Sequence, residues 1–335
     1  MATLSLVFRV VITITIILRL VSSLQSSSTT PIQPAPPPSN PCIPSERDAL
    51  LDFKKGLTDP DNYLSSWQGD DCCAWMGISC SKRNGHVVEL WLNRAGLGGK
   101  ISSSLLALRH LKSLGVEGND FGGAPIPEFI GSFKHMKYLY LFDSNFSGQI
   151  PPHLGNLSEL LDLQLTSQQT GPNFYSTDLA WLARLSKLEY LYLDGVNLST
   201  AIDWTHSINM LPSLVFLSLS YCSLRNAIPP PVHINLTSLK TVYLSGNPFN
   251  SPISFKQFFW PFWALPSLEN VYLGNCGLQG SLPEVLGNST SLKLLDLNNN
   301  DLTGVPITLK RLHTLETLHL AENNFNGSLE MYHFG

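Results

Sequence analysis

Charged side chains are scarce in this chain and are not concentrated anywhere along it. Lys, Arg, Asp and Glu make up 14% of the 335 residues, and the formal net charge is −4. No run of Lys or Arg occurs, whereas proteins that bind nucleic acid carry a basic footprint. The composition therefore predicts no nucleic-acid partner.

Residues that carry chemistry are also sparse or scattered. The nine His residues are spread along the chain, and no His/Cys cluster has the spacing of a metal site. Ser is common, but no nucleophile elbow appears, and no paired carboxylates lie in a context that would raise a pKa. The sequence therefore predicts a protein that is not an enzyme and that needs no metal ion or cofactor.

Long apolar runs are missing except at the N-terminus. The apolar run at residues 10–18 follows Arg9, is too short to span a bilayer comfortably, and is followed directly by Arg19. Small residues suited to signal-peptidase cleavage follow at 21–23. We interpret residues 1–23 as a cleaved secretory signal, with a signal anchor as the alternative.

The segment after this signal has the composition of a disordered leader. Residues 24–41 are rich in Ser, Thr and Pro and contain almost nothing to bury. No later segment could cross a membrane, so any membrane attachment would come through segments absent from this chain. A secreted chain of this kind is expected to be glycosylated at its six N-x-S/T sequons, at Asn145, Asn156, Asn197, Asn235, Asn288 and Asn326.

What the chain has in abundance is a single repeated pattern. From Val87 onward, L-x-x-L-x-L-x-x-N-x-L returns about every 24 residues and is followed by Gly and then Ile-Pro or a relative of it. The first Leu of each L-x-L pair, or its Val replacement, recurs at spacings of 23 to 29, at Leu90, Leu114, Leu139, Leu163, Leu191, Leu217, Val242, Val271, Leu295 and Leu318. This is the signature of a leucine-rich-repeat solenoid. It predicts about ten repeats over residues 87–335, forming an α/β right-handed superhelix with a concave parallel β-sheet.

The repeat assigns a place to each of its residue types. The two Leu of L-x-L should point inward from a short strand, and the x residues should face the concave surface. The Ile of Ile150-Pro151 should enter the core at a turn. The amide of the Asn three residues past the second Leu can satisfy backbone groups in the turn. That position is held by Asn119, Asn247, Asn300 and Asn323.

Two repeats carry Cys at the Asn position, as Cys222 and Cys276. They lie two repeats apart, roughly 10 Å by strand spacing, which is beyond the reach of a disulfide. A redox pair is therefore disfavoured. We interpret both as buried structural thiols.

Three repeats depart from the pattern. Residues 166–178 form a longer loop without the Asn, and Ile202-Asp203-Trp204 stands in place of Ile-Pro. Another repeat is overlong and carries an aromatic cluster at residues 258–263. For this cluster, and for the Ile228-Pro229 element, we expect burial in the core, with an exposed interaction patch as the alternative for the aromatic rings.

A different kind of segment, residues 42–86, precedes the repeats. Ser45-Glu46-Arg47-Asp48 predicts a capping box at the start of a helix that continues through Leu57 and ends at Asp59-Pro60. Trp67 and Trp75 should form a small aromatic core. A helix with two disulfides would cover the first strand of the solenoid. A bond between Cys72 and Cys73 is excluded by its strained geometry, which leaves two connectivities open among Cys42, Cys72, Cys73 and Cys80.

These N-terminal residues carry a specific resemblance. The segments 45–57, 64–67, 72–80 and 85–90 resemble the N-terminal cap and the first-repeat entry of plant extracellular leucine-rich-repeat proteins. The similarity is strongest to plant receptor-like proteins that sense fungal elicitors, and it covers about residues 42–335. It implies the disulfides Cys42–Cys72 and Cys73–Cys80.

The resemblance also implies a function and a place for it. The chain would be the extracellular ligand-recognition module of a plant cell-surface receptor-like protein, in defence or peptide perception, signalling through a partner receptor kinase. It would lie in the apoplast, or form a plasma-membrane ectodomain if it is a fragment. The alternative is an inhibitor similar to polygalacturonase-inhibiting proteins, which have ten repeats but end in a cysteine-containing cap. No such cap follows Cys276 here.

The end of the chain leads to a further expectation. The tenth repeat stops at Gly335 without a C-terminal cap, which would leave its apolar cross-section uncovered. We therefore expect the chain to be the front part of a longer receptor.

The concave surface is the place where a ligand would bind. Acidic neighbours there are Glu89, Asp143, Asp162, Asp194, Glu269 and Asp296. Large aromatic side chains dominate binding hot spots, although they also favour strands by propensity. We expect contact with a protein, peptide or glycan ligand through Trp91, Tyr138, Tyr140, Tyr190, Tyr192, Phe216, Tyr221, Tyr243 and Tyr272.

Overall fold

A computed structural model of the chain describes residues 41–166, 174–225, 234–249, 265–304 and 307–326. The predicted signal, the leader up to residue 40, the Ile228-Pro229 element and the aromatic cluster at 258–263 lie outside the described residues. Within those described ranges, no helix has the length and apolar character needed to cross a bilayer.

Short strands, two α-helices and several 3₁₀ helices make up the regular structure of the described part of the chain. The strands are β1 (Leu57–Thr58), β2 (Ile78–Cys80), β3 (Val87–Trp91), β4 (Gly98–Gly99), β5 (Ser113–Gly115), β6 (Tyr138–Tyr140), β7 (Gly148–Gln149), β8 (Asp162–Gln164), β9 (Phe174–Tyr175), β10 (Tyr190–Tyr192), β11 (Phe216–Ser218), β12 (Thr241–Tyr243), β13 (Asn270–Tyr272), β14 (Gln279–Gly280), β15 (Leu294–Asp296), β16 (Asp301–Gly304), β17 (Thr317–His319) and β18 (Asn324–Phe325). Two α-helices, α1 (Pro44–Lys55) and α2 (Trp204–Asn209), accompany them.

The remaining helices of the described residues are 3₁₀ helices, two in the N-terminal segment 42–86 and six in the repeats. Their short length suits a repeat that must return to the next strand within about 24 residues. They span Tyr63–Ser66, Cys72–Ala74, Ser103–Ala107, Glu128–Ser132, Pro152–Asn156, Ala180–Arg184, Glu284–Asn288 and Ile307–Arg311.

The main sheet contains one strand for every copy of the repeat. Its ten parallel strands pair in the order β3, β5, β6, β8, β10, β11, β12, β13, β15, β17, and β2 adds an antiparallel strand beside β3. The ten positions from Leu90 to Leu318 pair directly with one another from strand to strand. Nine of them are buried, and Leu318 is half-buried. The predicted leucine-rich-repeat solenoid is therefore confirmed.

Smaller sheets form where the chain leaves the main sheet. Strand β1 pairs antiparallel with β4, β7 pairs with β9, and β14, β16 and β18 form a parallel row. The Ile-Pro element lies between these small sheets and the next 3₁₀ helix, and Ile150 is fully buried there, as predicted. The variant repeat differs, because Ile202 is 66% exposed while Ala201 and Trp204 are buried.

The Asn position of the repeat forms a buried ladder of side-chain hydrogen bonds. Asn247 Nδ2 donates to the carbonyls of Leu219 and Leu244, both at 2.8 Å. Its Oδ1 accepts from the amides of Cys222 at 3.0 Å and Leu224 at 2.9 Å. One side chain therefore satisfies backbone groups in two successive repeats. The same pattern recurs at Asn119 and Asn300, and in part at Asn323.

Cys222 and Cys276 replace Asn in this ladder and are both free and buried, as predicted. The Cys222 thiol donates to the Leu193 carbonyl at 3.1 Å, and Cys276 donates to Leu244 at 3.3 Å. Burial raises the pKa of both thiols, to about 12 for Cys276. Both therefore stay protonated and act as hydrogen-bond donors.

The N-terminal helix starts earlier than the capping box predicts. Helix α1 begins at Pro44, and Ile43 precedes it without any side-chain capping hydrogen bond. Pro suits the first helical position, because its missing N–H is not needed there and its φ is already helical. The predicted capping box is therefore wrong. The helix also ends sooner than predicted, at Lys55, because Leu57 already belongs to β1.

Glu46 turns out to connect the helix to the first repeat. Its side chain is buried, with a relative exposure of 2%. Its carboxylate accepts a hydrogen bond from the Val87 amide at 2.7 Å and lies 2.8 Å from Nδ1 of His86. Val87 begins β3, so this carboxylate ties α1 to the first parallel strand.

Two disulfides and a set of stacked rings complete the N-terminal segment. The bonds are Cys42–Cys72 and Cys73–Cys80, which confirms the pairing that the resemblance implied. Trp67 stacks on Trp75 with ring centroids 5.4 Å apart. Both indole N–H groups donate to backbone carbonyls at 2.8 Å, so these large rings are buried without an unsatisfied donor. The predicted aromatic core is confirmed.

Candidate functional site

Two rows of side chains project from the main sheet on the face opposite the leucine core, because side chains alternate along a strand. The N-terminal row precedes each central Leu or Val and the C-terminal row follows it; together we call them the strand face. The N-terminal row is Glu89, Ser113, Tyr138, Asp162, Tyr190, Phe216, Thr241, Asn270, Leu294 and Thr317, and the C-terminal row is Trp91, Gly115, Tyr140, Gln164, Tyr192, Ser218, Tyr243, Tyr272, Asp296 and His319.

Eight of the nine predicted aromatic residues lie on the strand face; Tyr221 does not. Strand β11 ends at Ser218, and Tyr221 lies in the following turn with a φ of 58°. Its ring lies against Gly246, where an added Cβ would collide with it. Tyr221 is 51% exposed, but it lies past the C-terminal end of its strand rather than on the strand face. Its predicted strand position is therefore wrong, because it stands beyond the second Leu of its repeat.

Four rings form a continuous stack from β10 to β13. Tyr192 and Phe216 have ring centroids 4.7 Å apart, Phe216 and Tyr243 are 5.4 Å apart, and Tyr243 and Tyr272 stack at 4.0 Å. Phe216 comes from the N-terminal row and fills the space left by the small Ser218. This stack therefore depends on both rows.

A second, shorter stack, whose two ring planes are tilted by 49°, lies near the N-terminal end of the sheet. Trp91 and Tyr140 have ring centroids 5.4 Å apart although the strand of Gly115 runs between them. A Cβ at Gly115 would collide with the Trp91 ring, so the indole lies directly over this glycine. The sequence alone could have predicted this gap in the C-terminal row, because Gly115 occupies the x position of Leu114-Gly115-Val116.

Strand β8 separates the two stacks and carries polar side chains. Asp162 accepts a hydrogen bond from the Tyr140 hydroxyl at 2.7 Å and from Gln164 Nε2 at 3.2 Å. Burial raises the pKa of the Asp162 carboxyl in spite of these bonds. Burial also raises the pKa of the Tyr140 hydroxyl, which keeps it protonated as a donor. Sequence reasoning missed Gln164.

Asp194, just past β10, is a second carboxylate held only by neutral donors. It accepts from the Ser218 hydroxyl at 2.6 Å and from the Ser220 amide at 2.8 Å. Burial raises the pKa of its carboxyl. Burial is also the main reason why the pKa of the neighbouring Tyr192 hydroxyl is raised to about 12.

The other predicted acidic neighbours are placed differently. Glu269 pairs with Lys293 at 2.7 Å and with Lys240 at 3.8 Å, so its charge is already balanced. Asp296 lies 3.8 Å from the ring of His319. Asp143 is exposed in a turn with a φ of 52°, and Glu89 begins the N-terminal row. In contrast, Asp162 and Asp194 accept hydrogen bonds from the neutral donors named above.

The sequons lie outside the strand face. Asn156 and Asn288 end 3₁₀ helices, and Asn145 and Asn197 lie in the turns just past the Asn position. All six acceptor residues are exposed. Their use stays a prediction, but glycans attached there would leave the aromatic rows uncovered.

One group of possible metal ligands converges among the described residues, and it has another explanation. The sulfurs of Cys42, Cys72 and Cys73 lie close together. All three are bonded in the two disulfides, so they offer no thiolate to an ion.

The chain matches two family models. The leucine rich repeat N-terminal domain matches residues 43–81. The Leucine Rich Repeat model matches residues 135–157, 267–289 and 291–312.

Similar proteins extend these matches to most of the chain. The chain is 38% identical over 279 residues to Receptor-like protein EIX1 of Solanum lycopersicum, which covers 77% of this chain and 26% of that protein. It spans between a quarter and about a third of the length of the first receptor-like proteins that it matches.

Two solved structures share the fold. One is the ectodomain of the Arabidopsis thaliana receptor kinase GASSHO1/SCHENGEN3 with CASPARIAN STRIP INTEGRITY FACTOR 2, at a TM-score of 0.67 and 26% identity over 84% of this chain and 36% of that one. The other is the Arabidopsis receptor kinase HAESA with the peptide hormone IDA and the co-receptor SERK1. Its TM-score is 0.64, with 28% identity over 84% of this chain and 50% of that one.

Proposed function

Because the chain belongs to the leucine-rich-repeat proteins and is homologous to plant receptor-like proteins, we propose that it is the ligand-recognition part of a plant cell-surface receptor. The observation that carries this proposal is the strand face. Eight aromatic side chains lie there, six of them in two ordered stacks, next to carboxylates that make hydrogen bonds only to neutral donors. Tyr and Trp are enriched at binding hot spots, because they offer a large contact area and lose little entropy.

The extracellular location is supported by chemistry at the N-terminus. The two disulfides persist only where the surroundings are oxidising. The predicted signal at residues 1–23 and the exposed sequons agree with passage through the secretory pathway. We place the chain in the apoplast or on the outer side of the plasma membrane.

The ligand and the signalling partner are proposed by analogy with the relatives. The solved HAESA ectodomain holds a peptide hormone and a co-receptor, and receptor-like proteins are the relatives of this chain. We therefore propose a peptide or protein ligand, in defence or peptide perception. Signalling would pass through a partner receptor kinase.

Replacing Tyr140, Tyr192 and Tyr243 together by Ala tests the strand face as the binding surface. Peptides are first selected from a random display library against the full chain, and their affinities are then measured for both proteins. We expect at least about a tenfold loss of affinity, because three rings of the two stacks are removed. The melting temperature should stay close to that of the wild type, since all three rings face away from the leucine core.

The matched control replaces two tyrosines outside the strand face, Tyr175 and Tyr221, which are 42% and 51% exposed. This variant should keep the wild-type affinity. Equal affinities of the selected peptides for the triple variant and the wild type would contradict binding at the strand face.

A further inference from the structure

Four tyrosines surround the single carboxylate of β8. Tyr138 and Tyr190 flank Asp162 in the N-terminal row, in direct register on the two adjacent strands. Tyr140 and Tyr192 flank Gln164 in the same way in the C-terminal row. Adjacent strands are about 4.8 Å apart, so the backbone positions of Tyr138 and Tyr190 on either side of Asp162 are on the order of 10 Å from each other. A group sandwiched between two rings needs about 7 to 8 Å, which leaves room for one side chain.

The rings that flank Asp162 are accessible. Tyr138 is 36% exposed and Tyr190 is 37% exposed, whereas Tyr140 and Tyr192 are half-buried. No sequon occurs in the strand face, so no predicted glycan would cover them. A ligand can therefore reach the space above the carboxylate from solvent.

The charge of Asp162 has no cationic partner in the described part of the chain. Its hydrogen-bond donors are the neutral Tyr140 hydroxyl and the neutral Gln164 amide. None of the ion pairs formed by the described residues includes Asp162. The segment that follows β8, residues 167–173, contains no Lys, Arg or His. Glu269 shows the contrast, since Lys293 already balances its charge.

We infer that Asp162, between Tyr138 and Tyr190, binds the positively charged side chain of an Arg or Lys from a peptide or protein ligand. The carboxylate supplies the opposite charge, and the two ring faces attract a cation through their quadrupoles. Tyr140 and Gln164 act as positioning residues, because their hydrogen bonds fix the orientation of the carboxylate. This inference rests on the proposed function and adds the chemistry of the ligand.

A neutral sugar fits this site less well than a cation. Sugars stack their C–H faces on aromatic rings and donate to carboxylates through their hydroxyls, but those hydroxyls would add only further neutral donors to Asp162. The half-buried charge would then stay unbalanced in surroundings where Coulomb interactions are stronger than in water. Burial already raises the pKa of this carboxyl, which shows that its neutral donors do not fully offset the loss of solvent.

Two peptides that differ only in charge test the inference. The probes are acetyl-Gly-Arg-Gly-amide and the same peptide with citrulline, the neutral isostere of Arg, titrated into the full chain and followed by NMR or tyrosine fluorescence. We expect the Arg peptide to bind about tenfold more tightly than the citrulline peptide. In Asp162→Asn this preference should disappear, because the amide keeps an oxygen for the Tyr140 hydroxyl but carries no charge.

Asp143→Asn is the matched control. It makes the same change in net charge at an exposed carboxylate in a left-handed turn, where Asn is well tolerated. This variant should keep the preference for Arg. A double variant, Tyr138→Ala with Tyr190→Ala, leaves the hydrogen bonds of Asp162 intact and should also lose most of the preference, which keeps the test valid if Asp162→Asn folds poorly.

Three results would overturn the inference. The citrulline peptide would bind as tightly as the Arg peptide, or Asp143→Asn would lose as much affinity as Asp162→Asn. Alternatively, the neutral sugar hexa-N-acetylchitohexaose would bind more tightly to the wild type than to the double Tyr variant, while the Arg peptide bound to neither protein. If library-selected peptides depend on Tyr140, Tyr192 and Tyr243 but contain no Lys or Arg, the proposed function stands and this inference fails.

Discussion

Asn247→Ala is expected to lower the free energy of unfolding by about 4 kcal/mol, which is large for a single substitution. The Asn247 side chain is fully buried and makes four hydrogen bonds to backbone groups. Alanine would leave two amides and two carbonyls without partners in a place that no strand ladder reaches. Each unsatisfied buried group costs about 1 kcal/mol or more. Urea unfolding followed by circular dichroism measures the loss.

The neighbouring repeats supply a graded comparison for this prediction. Cys222 and Cys276 occupy the same position one repeat before and one repeat after Asn247, and each thiol donates to a backbone carbonyl. Asn247→Cys should therefore lose clearly less stability than Asn247→Ala. The exposed Asn84 provides the control, since Asn84→Ala should change the unfolding free energy by less than about 0.5 kcal/mol. Equal losses for Asn247→Ala and Asn247→Cys would contradict a hydrogen-bonding role for this position.

The repeat pattern was sufficient to predict the main sheet because the same packing requirement recurs in each repeat. Every central Leu or Val must enter the core, and the alternation of side chains then fixes which neighbours face outward. Leu163 shows how strong this constraint is, since it keeps its register although the sequence of its repeat is longer and lacks the Asn. The same counting places Tyr138, Asp162 and Tyr190 side by side.

The spacing of the repeat did not predict the position of a side chain where the local direction of the backbone decides it. Tyr221 stands only two residues beyond Leu219, but the strand has ended and the backbone has turned into the left-handed region. The repeat pattern also did not predict which side chains contact one another. The hydrogen bond from Tyr140 to Asp162, and the exposure of Ile202 in the variant repeat, depend on the relative positions of neighbouring repeats rather than on the spacing within one.

The N-terminal helix shows a different limit. Ser45 followed by acidic residues has the composition of a capping box, yet the helix starts at Pro44, two residues earlier than a box with Ser45 as its N-cap would start it. Glu46 points toward the first repeat, where it contacts Val87 and His86. No local pattern predicts a contact between residues that are 41 positions apart. That contact leads to the second prediction with a large effect.

Glu46→Ala is expected to lower the free energy of unfolding by about 3 kcal/mol. The substitution removes a buried carboxylate, leaves the Val87 amide without its 2.7 Å hydrogen bond, and separates His86 from its acidic partner. Because Val87 begins the first parallel strand, amide exchange at Val87 should accelerate more than exchange in β11 or β12. Hydrogen exchange combined with urea unfolding measures both effects.

Two variants of the same helix make this prediction specific. Glu46→Gln keeps an oxygen that can accept from the Val87 amide, so it should lose less than half of the stability that Glu46→Ala loses. Asp48→Ala removes an exposed carboxylate that pairs only with Arg47, and it should change the unfolding free energy by less than about 0.5 kcal/mol. If Asp48→Ala and Glu46→Ala were equally destabilising, the helix charge would be responsible rather than the contact with Val87. If Glu46→Ala lost stability without faster exchange at Val87, the carboxylate would not be what ties the helix to the first repeat.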